Sequence, residues 1–222
     1  MKKLLFIAAL IGTTFTAVGQ NTYQEKDPKA KAILDKLSAK HKSIDNIVID
    51  FKATFSGAKI KKQIIIGKAY KAAKKYAYYT SDYTVVNDGR DNWLYSKKDN
   101  EVVITSNEDA DEGNGLMSPA KLLSIWETGF KYQFIGEGKV GSKMLQEVRL
   151  FPVDPKKSKY HTITIIVDKT KNELTKVEIK GRDGVNMVYD ITGFSSGTAI
   201  SGSKFKFDKT KFPNLVTTDN RF

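Results

Sequence analysis

From residue 47 onward the chain runs in short apolar–polar alternations, each ending at a turn signal. Ile47, Ile49, Phe51, Ala53 and Phe55 alternate with Val48, Asp50, Lys52 and Thr54. A period of two marks a half-buried strand. The pattern returns at 60–71, with Ile64, Ile65 and Ile66 in the middle, and at 75–80, 83–87, 92–97 and 101–105. It resumes at 130–135, 139–151, 160–167, 173–180, 185–194 and 203–207. Turn residues separate the runs: Ser56 to Lys59, Asp88-Gly89, Asp99-Asn100, Gly136 to Gly141, Asp154-Pro155, Lys169 to Asn172 and Asp183-Gly184. Short connections favour antiparallel pairing in chain order, and a sheet this long must curl or split. The expected fold is mainly β: an incomplete antiparallel barrel of about eleven strands.

Two segments read as helices. Asp27 is placed as an N-cap with Pro28 at the first helical position, and Ala30, Ile33, Leu34, Leu37 and His41 recur at helical spacing. Ser118-Pro119 opens a second helix carrying Leu122, Leu123, Ile125 and Trp126 and ending near Gly129. Both have one apolar face, and the hollow side of a bent sheet is where such faces can be buried. The expectation is two lid helices over a hydrophobic cavity, because the strands enclose more interior than two short helices fill.

The first twenty residues have the build of a secretory leader. Lys2-Lys3 precede an apolar run from Leu4 to Ile11, and Ala17-Val18-Gly19 is a small-x-small cleavage pattern. The run is too short for a bilayer core, which needs about 20 apolar residues. The expected product is a soluble exported protein, a single domain over 21–222. The formal charge of +12 includes Lys2 and Lys3, and residues 1–20 hold no acid, so +10 remains without those two lysines. The lysines are scattered along alternating strands rather than massed in one block, and exported proteins rarely meet nucleic acid, so no nucleic-acid partner is expected. There is no cysteine, which excludes disulfides, thiol catalysis and thiolate metal sites.

No catalytic set emerges. The two histidines, His41 and His161, are isolated in sequence, and no HExxH occurs. Ser118 lacks a Gly-x-Ser-x-Gly context and reads as a helix cap. Glu108, Asp109, Asp111 and Glu112 lie in an acidic stretch, 106–115, without the spacing of a calcium loop. Gly136-x-Gly138-x-x-Gly141 sits between strands, where no helix N-terminus could receive a phosphate, and reads as a turn. No enzyme activity, metal or cofactor is expected. The unusual feature is the aromatic content of the strands, which suits a lined apolar cavity. The candidate lid residues are Ile33, Leu34, Leu37, Leu122, Ile125 and Trp126. The candidate wall residues are Phe51, Phe55, Ile64, Ile66, Tyr76, Tyr78, Trp93, Tyr95, Phe130, Tyr132, Phe134 and Tyr189.

Asp88-Gly89-Arg90-Asp91-Asn92-Trp93-Leu94-Tyr95 resembles the Asp-Gly-x-x-x-Trp-x-Tyr hairpin of the LolA-type outer-membrane lipoprotein carriers. Gly67-Lys68-Ala69-Tyr70 with Lys74-Lys75-Tyr76 is similar to that family's Gly-x-aromatic strand and basic turn. Met117 to Leu123 resembles its mid-chain lid helix, and Phe205 to Asp208, Phe212-Pro213 and Asp219-Asn220-Arg221 resemble its C-terminal ending. The resemblance spans Asp27 to Arg221. It implies an unclosed barrel whose cavity takes the acyl chains of a lipoprotein, or a lipid, at the inner membrane and carries them across the periplasm to the outer membrane. It also implies a release complex and an acceptor as partners, with a monomeric carrier between them. Lys74 and Lys75 are the candidate partner-binding residues, facing anionic headgroups or an acidic docking surface. Two departures stand out. Well-studied members carry an arginine in the basic turn, where this chain has Ala72-Ala73-Lys74-Lys75, and lysine cannot make arginine's planar bidentate contact. The acidic stretch is also outside the family pattern. Because the same fold includes an envelope-stress sensor, a lipid- or lipoprotein-sensing regulatory module is the alternative reading.

Overall fold

The computed structural model describes residues 27–106 and 117–221. The expected leader, the carboxylates of the acidic stretch and Phe222 lie outside those residues. Asp27 caps α1 (Pro28–Lys42) as the sequence requires: its Oδ1 accepts from the backbone N–H of Lys29 at 2.8 Å and of Ala30 at 3.2 Å. Ala30, Ile33, Leu34, Leu37 and His41 are the buried residues of this helix.

Twelve strands follow in one sheet. They are β1 (Asn46–Gly57), β2 (Ile60–Ala72), β3 (Lys75–Thr80), β4 (Tyr83–Asn87), β5 (Asp91–Ser96) and β6 (Glu101–Ser106), then β7 (Phe130–Val140), β8 (Lys143–Pro152), β9 (Tyr160–Asp168), β10 (Glu173–Gly181), β11 (Asn186–Ser196) and β12 (Val216–Asp219). The order across the sheet is β12-β6-β5-β4-β3-β2-β1-β11-β10-β9-β8-β7. Two meanders, β1–β6 and β7–β11, are thus joined where β1 pairs with β11. Their outer edges, β12 and β7, do not pair, so the sheet stays open. Every pairing is antiparallel except that of β12, which runs parallel to β6. Among the described residues no helix is long and apolar enough to cross a membrane.

Three expectations about elements are corrected. The second helix is a single turn, α2 (Pro119–Leu122), followed by tighter turns in which Ser124 N–H donates to Lys121 O and Glu127 N–H to Ser124 O. Leu122, Leu123, Ile125 and Trp126 are all buried. Leu123 falls off the face that the other three would share on a regular helix, and the tighter winding turns all four inward. The glycine run is not a turn at Gly136 and Gly138. Both lie within β7, with a register shift at Gly136, and the chain reverses at Gly141. Residues 203–207 are not a strand but begin with a 3-10 turn, Gly202–Phe205, and the last strand is β12 instead.

The sheet buries both faces over part of its width. On one face β1, β2, β3 and β4 join β8, β9, β10 and β11 in a single core beneath α1 and the α2 segment. Asp27 at the head of α1 is bonded to β7 at one edge of the sheet, Lys40 near the end of α1 pairs with Glu173 of β10, and the α2 segment is bonded to α1 through Trp126 and Ser38. On the opposite face Ala77, Val86, Trp93, Tyr95, Val102 and Ile104 are covered by the C-terminal segment through Phe205, Phe207, Phe212 and Leu215. Phe207 and Phe212 stack with ring centres 5.1 Å apart, and Phe212 meets Tyr95 at 4.4 Å.

Candidate functional site

The covering layer is tied down by a few polar contacts among apolar side chains. The second carboxylate oxygen of Asp27 accepts from Phe134 N–H at 3.0 Å, and Asp27 N–H donates to Tyr132 O at 3.3 Å. One residue therefore caps α1 and fastens it to the edge strand β7. Burial pushes the Asp27 pKa up, but the N–H groups of Phe134, Ala30 and Lys29 outweigh it, and the carboxyl lies below its ordinary value. Ser118 Oγ accepts from Lys121 N–H at 3.2 Å, the cap expected from sequence. Trp126 Nε1 donates to Ser38 Oγ at 2.8 Å, and His41 Nδ1 lies 3.1 Å from Leu123 O. At the segment's start, Met117 N–H donates to the hydroxyl oxygen of Tyr189 at 3.0 Å. Burial pushes the Tyr189 phenol up to about 12, so it stays neutral.

The space left between Ile49, Phe51, Ala69, Tyr78, Met117, Leu122 and Tyr189 is about 10 Å³, room for about one water molecule. Among the described residues this space is far smaller than the wide hollow expected from the sequence. α1 and the α2 segment supply Leu34, Leu37, Leu122, Leu123, Ile125 and Trp126 to the core.

A larger cleft of about 610 Å³ opens at one end of the sheet. Met117, Phe130, Pro152, Val153, Tyr160 and Met187 line it, with Lys121, Lys157, Lys159, Asp154 and Asp183 around them. Met117 belongs to both spaces. The cleft falls in the usual size range for small-molecule sites, about 300–1,000 Å³.

Ile33, Leu34, Leu37, Phe51, Tyr76, Tyr78, Leu122, Ile125 and Trp126 are buried in the core under α1, and Phe55, Phe130, Tyr132 and Phe134 pack against it half-buried. Of these candidates only Phe130 lines the cleft. Four candidates face the wrong way. Ile64 and Ile66 are 53% and 69% exposed on the outer face, because Ile65, which pairs with Ala53, takes the inward position and its neighbours must point out. Trp93 and Tyr95 lie on the face covered by the C-terminal segment, and Leu94 between them packs toward the core under α1. Lys74 and Lys75 are exposed at the other end of the sheet from the cleft, beside a shallow depression of about 490 Å³ lined by Ala73, Asp88, Gly89 and Arg90. The site residues that the sequence reading missed are Met117, Tyr160 and Met187. Met117 had a signal, since it precedes the Ser118 cap, where an apolar residue commonly packs back onto the helix.

No family model matches the sequence, and no curated protein is a match. Among solved structures the chain is similar to an uncharacterized conserved protein from Thermus thermophilus. The two are 9% identical, the match covers 86% of this chain and 99% of that one, and the TM-score is 0.57. That is a likeness of fold. Also matched are the lipoprotein LppX of Mycobacterium tuberculosis (12% identity, 79% of this chain, 100% of that one, TM-score 0.49) and a LolA superfamily protein from Nitrosomonas europaea (11%, 80%, 97%, 0.42).

Proposed function

We propose that this LolA-like protein is an exported carrier that shelters acyl chains of lipoproteins or lipids between the inner and outer membranes. The observation that carries the reading is the junction at Met117. Met117 lines both an apolar-floored cleft open to solvent and the small space beneath the α2 segment. A chain entering between Phe130, Tyr160 and Met187 reaches the interior when Met117 and the α2 segment swing outward. The segment is suited to this, because one helical turn and a few hydrogen bonds hold it.

Energetics favour a filled empty state. Burying one methylene contributes about 0.8 kcal/mol. Two or three fully sheltered long chains would exceed the roughly −18 to −21 kcal/mol at which non-covalent affinity saturates. A carrier must also release its load. Displacing Leu122, Ile125 and Trp126 from the core offsets much of the gain and leaves a reversible balance. Lys74, Lys75 and Arg90, at the far end, are the proposed contact for an acidic donor or acceptor surface.

Mass spectrometry of the protein purified from its own cells should find acylated peptide or lipid, and a fluorescent fatty acid should gain signal on binding. Met117→Trp, which blocks the junction, should suppress that signal while the fold persists by circular dichroism. Purified protein that carries no lipid and leaves the probe dark overturns the reading. A deletion strain tells transport from sensing: a carrier's loss strands outer-membrane lipoproteins in the inner membrane.

A further inference from the structure

β3 is much shorter than the strand it lies beside. Thr80 ends it, its Oγ1 accepting from the N–H of Asp82 at 3.3 Å and of Tyr83 at 2.9 Å to turn the chain into β4. The last β2–β3 pair is Gly67↔Thr80, whereas β1 and β2 stay paired down to Gly57↔Ile60. Residues 60–66 therefore have β1 on one side and, among the described residues, no strand on the other.

The register says which groups this edge offers. Ala72 and Lys75 close a two-residue hairpin, and such a hairpin closes on a hydrogen-bonded pair. Even-numbered residues of β2 thus exchange hydrogen bonds with β3, and odd-numbered ones with β1. Below Gly67 the same alternation leaves the N–H and C=O groups of Ile64 and Ile66 pointing out of the edge, as far as the register shift between Gln63 and Ile60.

We propose that residues 60–66 of β2 are a docking edge for an extended, acidic segment of a partner protein, which joins the sheet as an added strand. Unpaired edges invite such addition, and natural sheets usually blunt them. Among the described residues nothing blunts the Ile64–Ile66 half. The other half selects the partner's charge. Lys59, Lys61 and Lys62 are exposed, and among the described residues no carboxylate pairs with any of them. Carboxylates on the incoming strand would meet Lys61 on one face and Lys62 on the other, and an apolar residue would cover Ile64 and Ile66. A second copy of this chain would bring its own lysines against these and be repelled. The edge is separate from the cleft, since no residue of β2 lines the latter.

The probes are a labelled peptide of alternating glutamate and valine and its lysine–valine counterpart, titrated into the full chain and read by fluorescence anisotropy. The acidic peptide should bind, more weakly as salt is raised, and should protect the amides of Ile64 and Ile66 from hydrogen exchange. Ile64→Pro removes one outward donor and leaves the bonds to β1 in place, so binding should weaken about tenfold or more, ~1.4 kcal/mol. The double variant Lys61→Glu/Lys62→Glu leaves the backbone untouched and should reverse the preference between the peptides. Equal binding of both peptides, protection elsewhere, or a dimer that protects this edge without peptide overturns the proposal.

Discussion

Burial holds the His41 imidazole below its ordinary pKa of 6.5, and the hydrogen bond to Leu123 O only partly counters it. Trp126 lies 5.9 Å away and Phe194 6.2 Å, ring centre to ring centre, and Nε2 has no partner among the described residues. The unfolded chain takes up a proton below about pH 6.5, whereas the folded chain resists it. The contribution of neutral His41 is therefore complete above that pH and is lost as pH falls toward the folded-state value. Thermal unfolding followed between pH 7 and 5 should show a falling Tm in the native chain, with a flatter profile in His41→Leu. An unchanged slope would assign the pH dependence to other groups. The sequence placed His41 on the apolar face of its helix, and that was enough to bury it. It held no sign that Leu123, in a different element, would supply the acceptor.

Among the strands, local pattern and tertiary demand can be separated residue by residue. The alternation in β1 marked Ile47, Ile49, Phe51, Ala53 and Phe55 as inward; the first four are buried and Phe55 is half-buried. Three successive isoleucines in β2 carry no alternation, so their facing was not legible. Only pairing with Ala53 turned Ile65 inward and left Ile64 and Ile66 outside. Gly67 shows what such pairing requires. A Cβ there would lie 2.7 Å from the Phe51 ring and 2.8 Å from Tyr79 O, so the glycine makes room for an aromatic crossing from the neighbouring strand. Gly67→Val should cost about 1–3 kcal/mol, as overpacking does in well-filled cores. Chemical denaturation would read this as a lower midpoint with little change in slope, and a variant as stable as the native chain would show that Phe51 can move aside freely.

Across the molecule as a unit, the C-terminal segment has a role that strand alternation alone did not show. Arg221 Nη1 donates to Asp91 Oδ2 at 2.8 Å, Asn220 N–H donates to Ile104 O at 2.8 Å, and Asn100 Nδ2 donates to Pro213 O at 2.9 Å. These contacts hold Phe205, Phe207 and Phe212 over an apolar sheet face. A chain ending at residue 201 should expose Trp93, Tyr95 and their neighbours, bind a hydrophobic dye strongly and self-associate. A truncated protein that stays monomeric and does not bind dye would show that the cover is dispensable.

Interactions between chain neighbours set much of this fold in advance. The capped first helix and its buried face, the strands with their short turns, and an open antiparallel sheet all follow from periods and turn residues that neighbours settle among themselves. Long-range packing chose which sheet face Trp93 and Tyr95 would occupy, how far the covering side chains would fill the interior, and where the cleft would open. Those outcomes depend on contacts between segments far apart along the chain, such as Met117 with Tyr189, or Phe212 with Tyr95. A one-dimensional pattern gives the spacing of apolar residues but not which distant surface will bury them.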